Sequence, residues 1–456
     1  MQKAVFIVCI FNLYLAFTQN LEFGINIPVS EGNVQQKFPD LHIDYENTIH
    51  VVWVEQIGNA KNVYYSQSQD FGLNFSEKVR VNTIANHIEA FSGGGPRVRS
   101  NGNQVFVIWA DSRNGYNNTS IFMTYSLDNG INWLDEFEAS DQPHFQLYAD
   151  MELDETGNGH LVFYNFDASL WFEDVRYSTF NSMDITESMV VGITTETQEP
   201  CDCCAPDLEI TQDGTIYIAY RNNVDNIRDH YITRKPAGSG VFETAVIITE
   251  MNDQIGFCPA SSPSIAIGDN WIGAGFMNYS QGSTLLTGGA IETLVFNNPV
   301  SVPDLGGVTN YPSVQILSDD IYSIWVDSQS NTIEFTSLNV ISIEMANTQS
   351  ITDQNIDLTS STEPKLIANE IGLFSVWSDN RTGFPNIYFA STYEIEFMPG
   401  DIDGNLLVNV SDLLLVIFNI LGIGNLTTVQ FLAADMSGDQ EINILDIIQI
   451  VNLIIL

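Results

Sequence analysis

Two twelve-residue stretches near the C-terminus, DIDGNLLVNVSD and DMSGDQEINILD, carry oxygen-bearing side chains at the same spacing. In the first, Asp401, Asp403, Asn405, Asn409 and Asp412 occupy positions 1, 3, 5, 9 and 12. In the second, Asp435, Ser437, Asp439, Asn443 and Asp446 do so. Oxygens at this spacing wrap a hard cation such as Ca²⁺, with the backbone carbonyls of Leu407 and Glu441 supplying position 7. Two loops imply two calcium ions. Position 6, where the sharp turn favours glycine, is Leu406 or Gln440, so a weaker affinity is expected.

Arginine marks a second kind of chemistry, because its planar fork suits carboxylate or sulfate groups. Four of the nine arginines lie in three related segments. Trp109-Ala-Asp111-Ser-Arg113-Asn-Gly115 recurs as Trp377-Ser-Asp379-Asn-Arg381-Thr-Gly383, and a third segment runs from Arg221 to Arg228 and Asp229. The repeated Asp-x-Arg spacing assigns Arg113 and Arg381 to their own loops and leaves Arg221 and Arg228 as the stronger ligand candidates. Asp111 and Tyr279 are weaker candidates, and Tyr311 falls on the same face. Cysteines supply a third signal: Cys201, Cys203 and Cys204 in CDCCAP, and Cys258 in GFCPA. In an exported chain they favour disulfides, most simply Cys258 with one of the other three, over a soft-metal thiolate site.

The elements that must position these groups repeat. Strands ending in HVVWVE, FVIWAD, YSIWVD and FSVWSD follow a mark of proline and alternating apolar residues at Pro39, Pro96, Pro206, Pro263, Pro312 and Pro364. A proline-less equivalent lies near Tyr148 to Leu153, giving seven repeats of about 50 to 57 residues. Twice the repeat includes Ser-x-Asp-x-Gly-x-x-aromatic: Ser68, Asp70, Gly72 and Phe75, then Ser126, Asp128, Gly130 and Trp133. Such a turn lets the Asp bond local backbone N–H groups while the Gly takes positive φ. These stretches resemble the Asp-box, or BNR, repeat of sialidase-like β-propellers. CDCC, YRNN, NIRD and the later Cys-Pro are similar to a subgroup of bacterial exo-α-sialidase-like proteins.

The resemblance implies a mainly β propeller over residues 19–398, with seven blades favoured and six possible. The strand FGINIPVS would complete the last blade and close the ring. With strands A to D running from axis to rim, the B–C and D–A loops share the face that would bind an extracellular glycan. The resemblance also implies an arginine triad, a tyrosine nucleophile and glycoside hydrolysis. The family's Phe/Tyr-Arg-Ile-Pro motif is absent, and Tyr220-Arg221 is the nearest match. A non-catalytic glycan- or protein-binding propeller is the alternative.

Loop and helix, twice over, with starts 34 residues apart and Asp at position 12, resembles a type I dockerin over residues 399–456. That resemblance implies a small all-α calcium-loop domain, with a cohesin as partner and Val410-Ser411 and Ile444-Leu445 in the docking surface. At the other end, Lys3, the apolar run to Phe17 and small residues near Thr18 read as a signal peptide over residues 1–18, hence a secreted or cell-surface chain. The net charge of −42 argues against nucleic acid and anionic membranes as partners.

Overall fold

The structure, a computed structural model, describes residues 21–455 apart from 141–144, 168–171, 182–183, 192–198, 258, 304–305, 355, 357–361, 394–397, 406, 425, 427 and 439–440. The expected signal peptide, Leu406, Asp439, Gln440 and Cys258 lie outside the described residues. Seven antiparallel sheets form a propeller of seven blades. The inner strands are Gln35–Ile43, Arg97–Asn101, Phe145–Leu153, Asp207–Ile210, Ser264–Ile267, Thr309–Leu317 and Lys365–Asn369, and each packs against the next, the seventh returning to the first. Blade seven takes its outer strand from Ile27–Ser30, which pairs with Asn386–Ser391. The ring is therefore closed by the N-terminal strand, and seven is the count.

Seven apolar clusters, one between each pair of neighbouring blades, hold the ring together. Period-2 alternation explains how one strand serves two of them. In Gln104–Asp111, Val105, Val107 and Trp109 face blade one, while Phe106, Ile108 and Ala110 face blade three. Such strands are buried on both faces and read as continuous apolar runs. Their tryptophans Trp53, Trp109, Trp325 and Trp377 are among the largest fully buried side chains.

The proline marks have a structural partner that the sequence pattern did not reveal. The acceptor just after the mark, or at its equivalent in blade three, takes a backbone N–H from the next blade. Asp40 receives Val98 N–H at 3.0 Å, Asp150 receives Leu208 at 3.0 Å, and Asp207 receives Ile265 at 2.5 Å. Ser264 and Ser313 continue the series with Val314 at 3.1 Å and Leu366 at 2.9 Å. Between blades two and three, Arg97 Nε instead donates to Asp150 Oδ1 at 3.2 Å.

The two glycine-containing turns lie between the third and fourth strands of blades one and two. Asp70 Oδ1 accepts from Ser68 Oγ at 2.7 Å and from Asn74 N–H at 2.9 Å; Asp128 does the same with Ser126 at 2.8 Å and Asn132 at 2.7 Å. Gly72 has φ 89°, and a Cβ there would sit 2.0 Å from the Phe389 ring of blade seven. Each turn's aromatic packs edge-on against the preceding blade, Phe75 on Phe389 and Trp133 on Tyr65.

The C-terminal module contains helices Val410–Ile420, Thr428–Ala434 and Ile444–Ile455 around a small core of Ile402, Val416, Ala433, Ala434 and Ile450. The short middle helix lies between the two loop–helix repeats. No helix among the described residues is long and apolar enough to cross a membrane.

Candidate functional site

The B–C and D–A loops share one face of the propeller, around the channel mouth. Arg113 and Arg381 lie there as their spacing predicts, each folded back on its own loop. Arg113 donates Nε and Nη2 to Asp111 at 2.9 and 2.7 Å, and Nη2 also reaches Glu136 at 3.1 Å. Arg381 makes the matching bonds to Asp379, with Nη2 at 2.7 Å. Both guanidinium groups stack on a ring, Phe122 or Tyr388. Asp111 is fully buried and also accepts from the Trp109 indole at 3.1 Å, so it holds the loop and is not open to a ligand.

Arg221 corrects the sequence reading. Its side chain is wholly buried and its donors point inward, to Asp253 Oδ2 at 2.7 Å and to the carbonyls of Arg228 at 2.9 Å, Met277 at 3.3 Å and Ser261 at 3.4 Å. A buried cation requires such partners, and here they come from segments that no local pattern links to Arg221. Arg228 is also buried, with Nε on the Ile255 carbonyl at 3.2 Å and Nη1 on Cys201 Sγ at 2.9 Å. Cys203 is disulfide-bonded, whereas Cys201 and Cys204 are free thiols.

The mouth itself is filled by the loop Phe91 to Gly95, which reaches across from blade two to several other blades. Ser92 donates to the Glu363 carboxylate, and Gly93 N–H reaches both its oxygens at 2.9 Å. Side chains in place of the glycines would strike neighbours: a Cβ on Gly94 would lie 2.9 Å from Tyr148, and one on Gly95 2.7 Å from Phe38. Phe38, Tyr148 and Tyr311 all have left-handed backbone, at φ 55°, 54° and 56°, immediately before the inner-strand mark. The Tyr311 hydroxyl lies 3.2 Å from Ser92 Oγ, and Tyr279 packs edge-on against Phe257. Beneath the loop, a channel cavity of about 250 Å³ is lined by Arg97, Arg99 and Lys365 opposite Asp150, Asp207 and Glu209. A larger groove of about 910 Å³ lies on the opposite face among the A–B turns of blades four to six. Arg234 there is spent on Glu243 and on the Ile291 and Glu292 carbonyls.

The corner of blades three and four holds a cluster that sequence reasoning missed. Tyr164 is hydrogen-bonded to the Glu173 carboxyl, which lies diagonally across the B–C hairpin, two residues from the Val175 partner of Tyr164 and close to the connecting end. Burial, and then the nearby Asp202 charge, push the Glu173 carboxyl up. Asp202 is exposed on the loop that carries Cys201 and Cys204. The motif CDCC drew attention to this loop, but no spacing links it to Tyr164 or Glu173.

In the C-terminal module the calcium-loop residues converge as their spacing requires. Carboxylate oxygens of Asp401, Asp403 and Asp412 lie within 4.8 Å of one another. Asp412 is fully buried and accepts N–H groups from Ile402 at 2.8 Å, Asp403 at 2.9 Å and Asn409 at 2.9 Å. Asp446 repeats this role for Ser437 at 3.0 Å and Asn443 at 2.8 Å. A hard-oxygen donor set on a loop pinned from within is compatible with calcium. Asn405, Leu407 and Asn409 complete the first loop, and Asp435, Glu441 and Asn443 belong to the second. Val410, Ile444 and Leu445 stand exposed.

Residues 399–455 match the dockerin type I domain. The protein is thus a seven-bladed β-propeller followed by a dockerin module. No curated protein sequence matches the chain. Among solved structures, an ulvan lyase of polysaccharide lyase family 25, bound to -[GlcA(1-4)Rha3S]-, aligns with a TM-score of 0.54 at 10% identity, covering 81% of this chain and 94% of its own. The polysaccharide lyase Uly1 aligns with a TM-score of 0.50 at 8% identity, over 83% and 93% of the two chains. A Hadza microbial sialidase, Hz136, aligns at 0.45 and 11% identity over 68% and 66%. The likeness to the two lyases is one of fold.

Proposed function

We propose that this chain is an exported polysaccharide-acting propeller, held on a cohesin through its calcium-loaded dockerin module, with its reactive centre at the corner of blades three and four. The observation that carries this reading is the hydrogen-bonded Tyr164–Glu173 pair beside Asp202. A carboxyl whose pKa is raised keeps its proton nearer neutrality and can deliver it to a glycosidic oxygen. Glu173 is that donor, Tyr164 orients it, and exposed Asp202 is the second carboxylate that such a cleavage requires. Each C-terminal loop takes one ion: Asp401, Asp403, Asn405, Leu407, Asn409 and Asp412 hold the first, and Asp435, Ser437, Asp439, Glu441, Asn443 and Asp446 the second. Bound calcium neutralises the clustered carboxylates and fixes the two loops.

The sialidase form of this activity would need arginines open to a sugar carboxylate, whereas Arg113, Arg221, Arg228 and Arg381 spend donors on protein groups. A sialoside therefore belongs in the test as one arm beside neutral and uronate-containing polysaccharides. The full chain with calcium is expected to release products from at least one of them. Glu173→Gln should reduce turnover about 10²- to 10⁴-fold while retaining binding. Wild-type turnover by Glu173→Gln would overturn the assignment, and binding without turnover by the wild type would make the propeller a glycan-binding module.

A further inference from the structure

Two buried thiols remain that the cleavage chemistry does not use. Cys201 and Cys204 are free, and their sulfurs lie 3.6 Å apart. The Cys201 sulfur also takes a charged hydrogen bond from Arg228 at 2.9 Å. Paired free thiols at this distance are unusual in an exported chain, where oxidation to cystine is the common fate. We propose that Cys201 and Cys204 form a redox-active dithiol, with Cys201 as attacking thiolate, Cys204 as resolving thiol and Arg228 as the cation that holds the thiolate.

The environments of the two sulfurs differ in the required sense. The Cys204 hydrogen bond, followed by the Arg228 charge, lowers Cys201 to about 7 against the opposing effect of burial. Burial raises Cys204 well above an ordinary thiol. Near neutral pH Cys201 is thus partly thiolate while Cys204 keeps its proton, the arrangement that thiol–disulfide exchange uses. Cys201 attacks one sulfur of a low-molecular-weight disulfide and expels the other half as a thiolate, leaving a mixed disulfide on Cys201. Cys204 then gives its proton to solvent, attacks Cys201 Sγ and expels the second half. Two protein thiols become one disulfide, the external disulfide becomes two thiols, and the existing Cys203 bond is not consumed.

Closure also removes the negative sulfur from Arg228, one of the charges acting on Glu173. If Glu173 is the proton donor proposed above, the uncompensated guanidinium lowers its pKa, and the alkaline limb of the activity profile moves to lower pH on oxidation. This consequence rests on the proposed function, whereas the dithiol does not.

The test incubates the full chain, with calcium, with oxidised glutathione, then maps peptides after denaturation and alkylation without reduction. A Cys201–Cys204 linkage reversed by dithiothreitol is expected. Cys204→Ser should trap glutathione on Cys201, while Cys201→Ser should leave Cys204 unmodified. Arg228→Gln should slow formation of the Cys201 adduct about fivefold at pH 7, the change in thiolate fraction when a group titrating near that pH rises by ~1 pKa unit. Both thiols surviving in the wild type, an adduct on Cys204 in Cys201→Ser, or a Cys201–Cys203 linkage would overturn the proposal. Linkage without any polysaccharide turnover would leave the dithiol standing and remove only the proposed function.

Discussion

The dockerin loops and the propeller mouth both gather charged residues at recurring spacings, yet the recurrence means different things. In each loop, twelve consecutive residues carry the proposed ligands, so the spacing itself defines the candidate site. At the mouth, the repeated Asp-x-Arg spacing builds scaffolding: Asp111 and Asp379 fix Arg113 and Arg381 two residues away. Arg221 has no repeated partner in sequence and is still structural, because Asp253 lies 32 residues on and closes over it. A ring of similar blades reuses its local motifs for support. The proposed reactive corner instead combines groups that occur once.

The strongest test of this contrast is to remove calcium. Chelation should cost the C-terminal helices their structure, read as loss of helical circular dichroism, while the β signal of the propeller persists; loss of both together would show that the propeller too depends on the ion. Asp412→Ala should leave the chain with one bound calcium in place of two by calorimetry, since it removes both a proposed ligand and the acceptor for three loop N–H groups.

The arginines provide the next test. Arg221→Ala should lower propeller stability by about 3–5 kcal/mol, because the fully buried Asp253 carboxylate loses its countercharge. Arg113→Ala should cost about 1–3 kcal/mol, since Asp111 keeps the Trp109 indole and the Arg113 backbone N–H. Denaturant unfolding of the two variants decides the order, and a larger loss for Arg113→Ala would reverse the distinction drawn here.

A smaller effect should appear in the channel. Burial first, with help from neighbouring carboxylates, raises Glu152 and Asp207 to about 7 and holds Glu209 well above the usual carboxylate range, despite Arg97, Arg99 and Lys365 nearby. Between the ordinary carboxylate range and pH 7 the folded state therefore binds more protons than the unfolded state, and stability falls as pH rises through that window. Asp207→Asn keeps an acceptor for Ile265 N–H but cannot titrate, so its melting temperature should depend less steeply on pH between 5 and 8. An unchanged slope would show that Asp207 titrates normally.

Much of this architecture was legible in the residues. The proline marks and buried Trp strands counted seven blades, and the unmatched N-terminal strand indicated how the ring closes. Four of the acceptors that latch one blade to the next, Asp40, Asp207, Ser264 and Ser313, were open to detection as Asp or Ser after proline, whereas Asp150 has no proline before it. The corner of blades three and four left no comparable trace. Tyr164 and Glu173 read as ordinary strand residues, and the loop bearing Asp202 becomes their neighbour only when blade four packs against blade three.

Sequence alone thus determined the period of the blades, the turns that need glycine and the calcium-type loops, because each depends on backbone geometry within a dozen residues or on alternation along one strand. Tertiary structure decided which charges are neutralised, which thiols meet and which carboxyl is raised. Those properties depend on burial and on partners supplied by other blades, and a linear pattern carries neither.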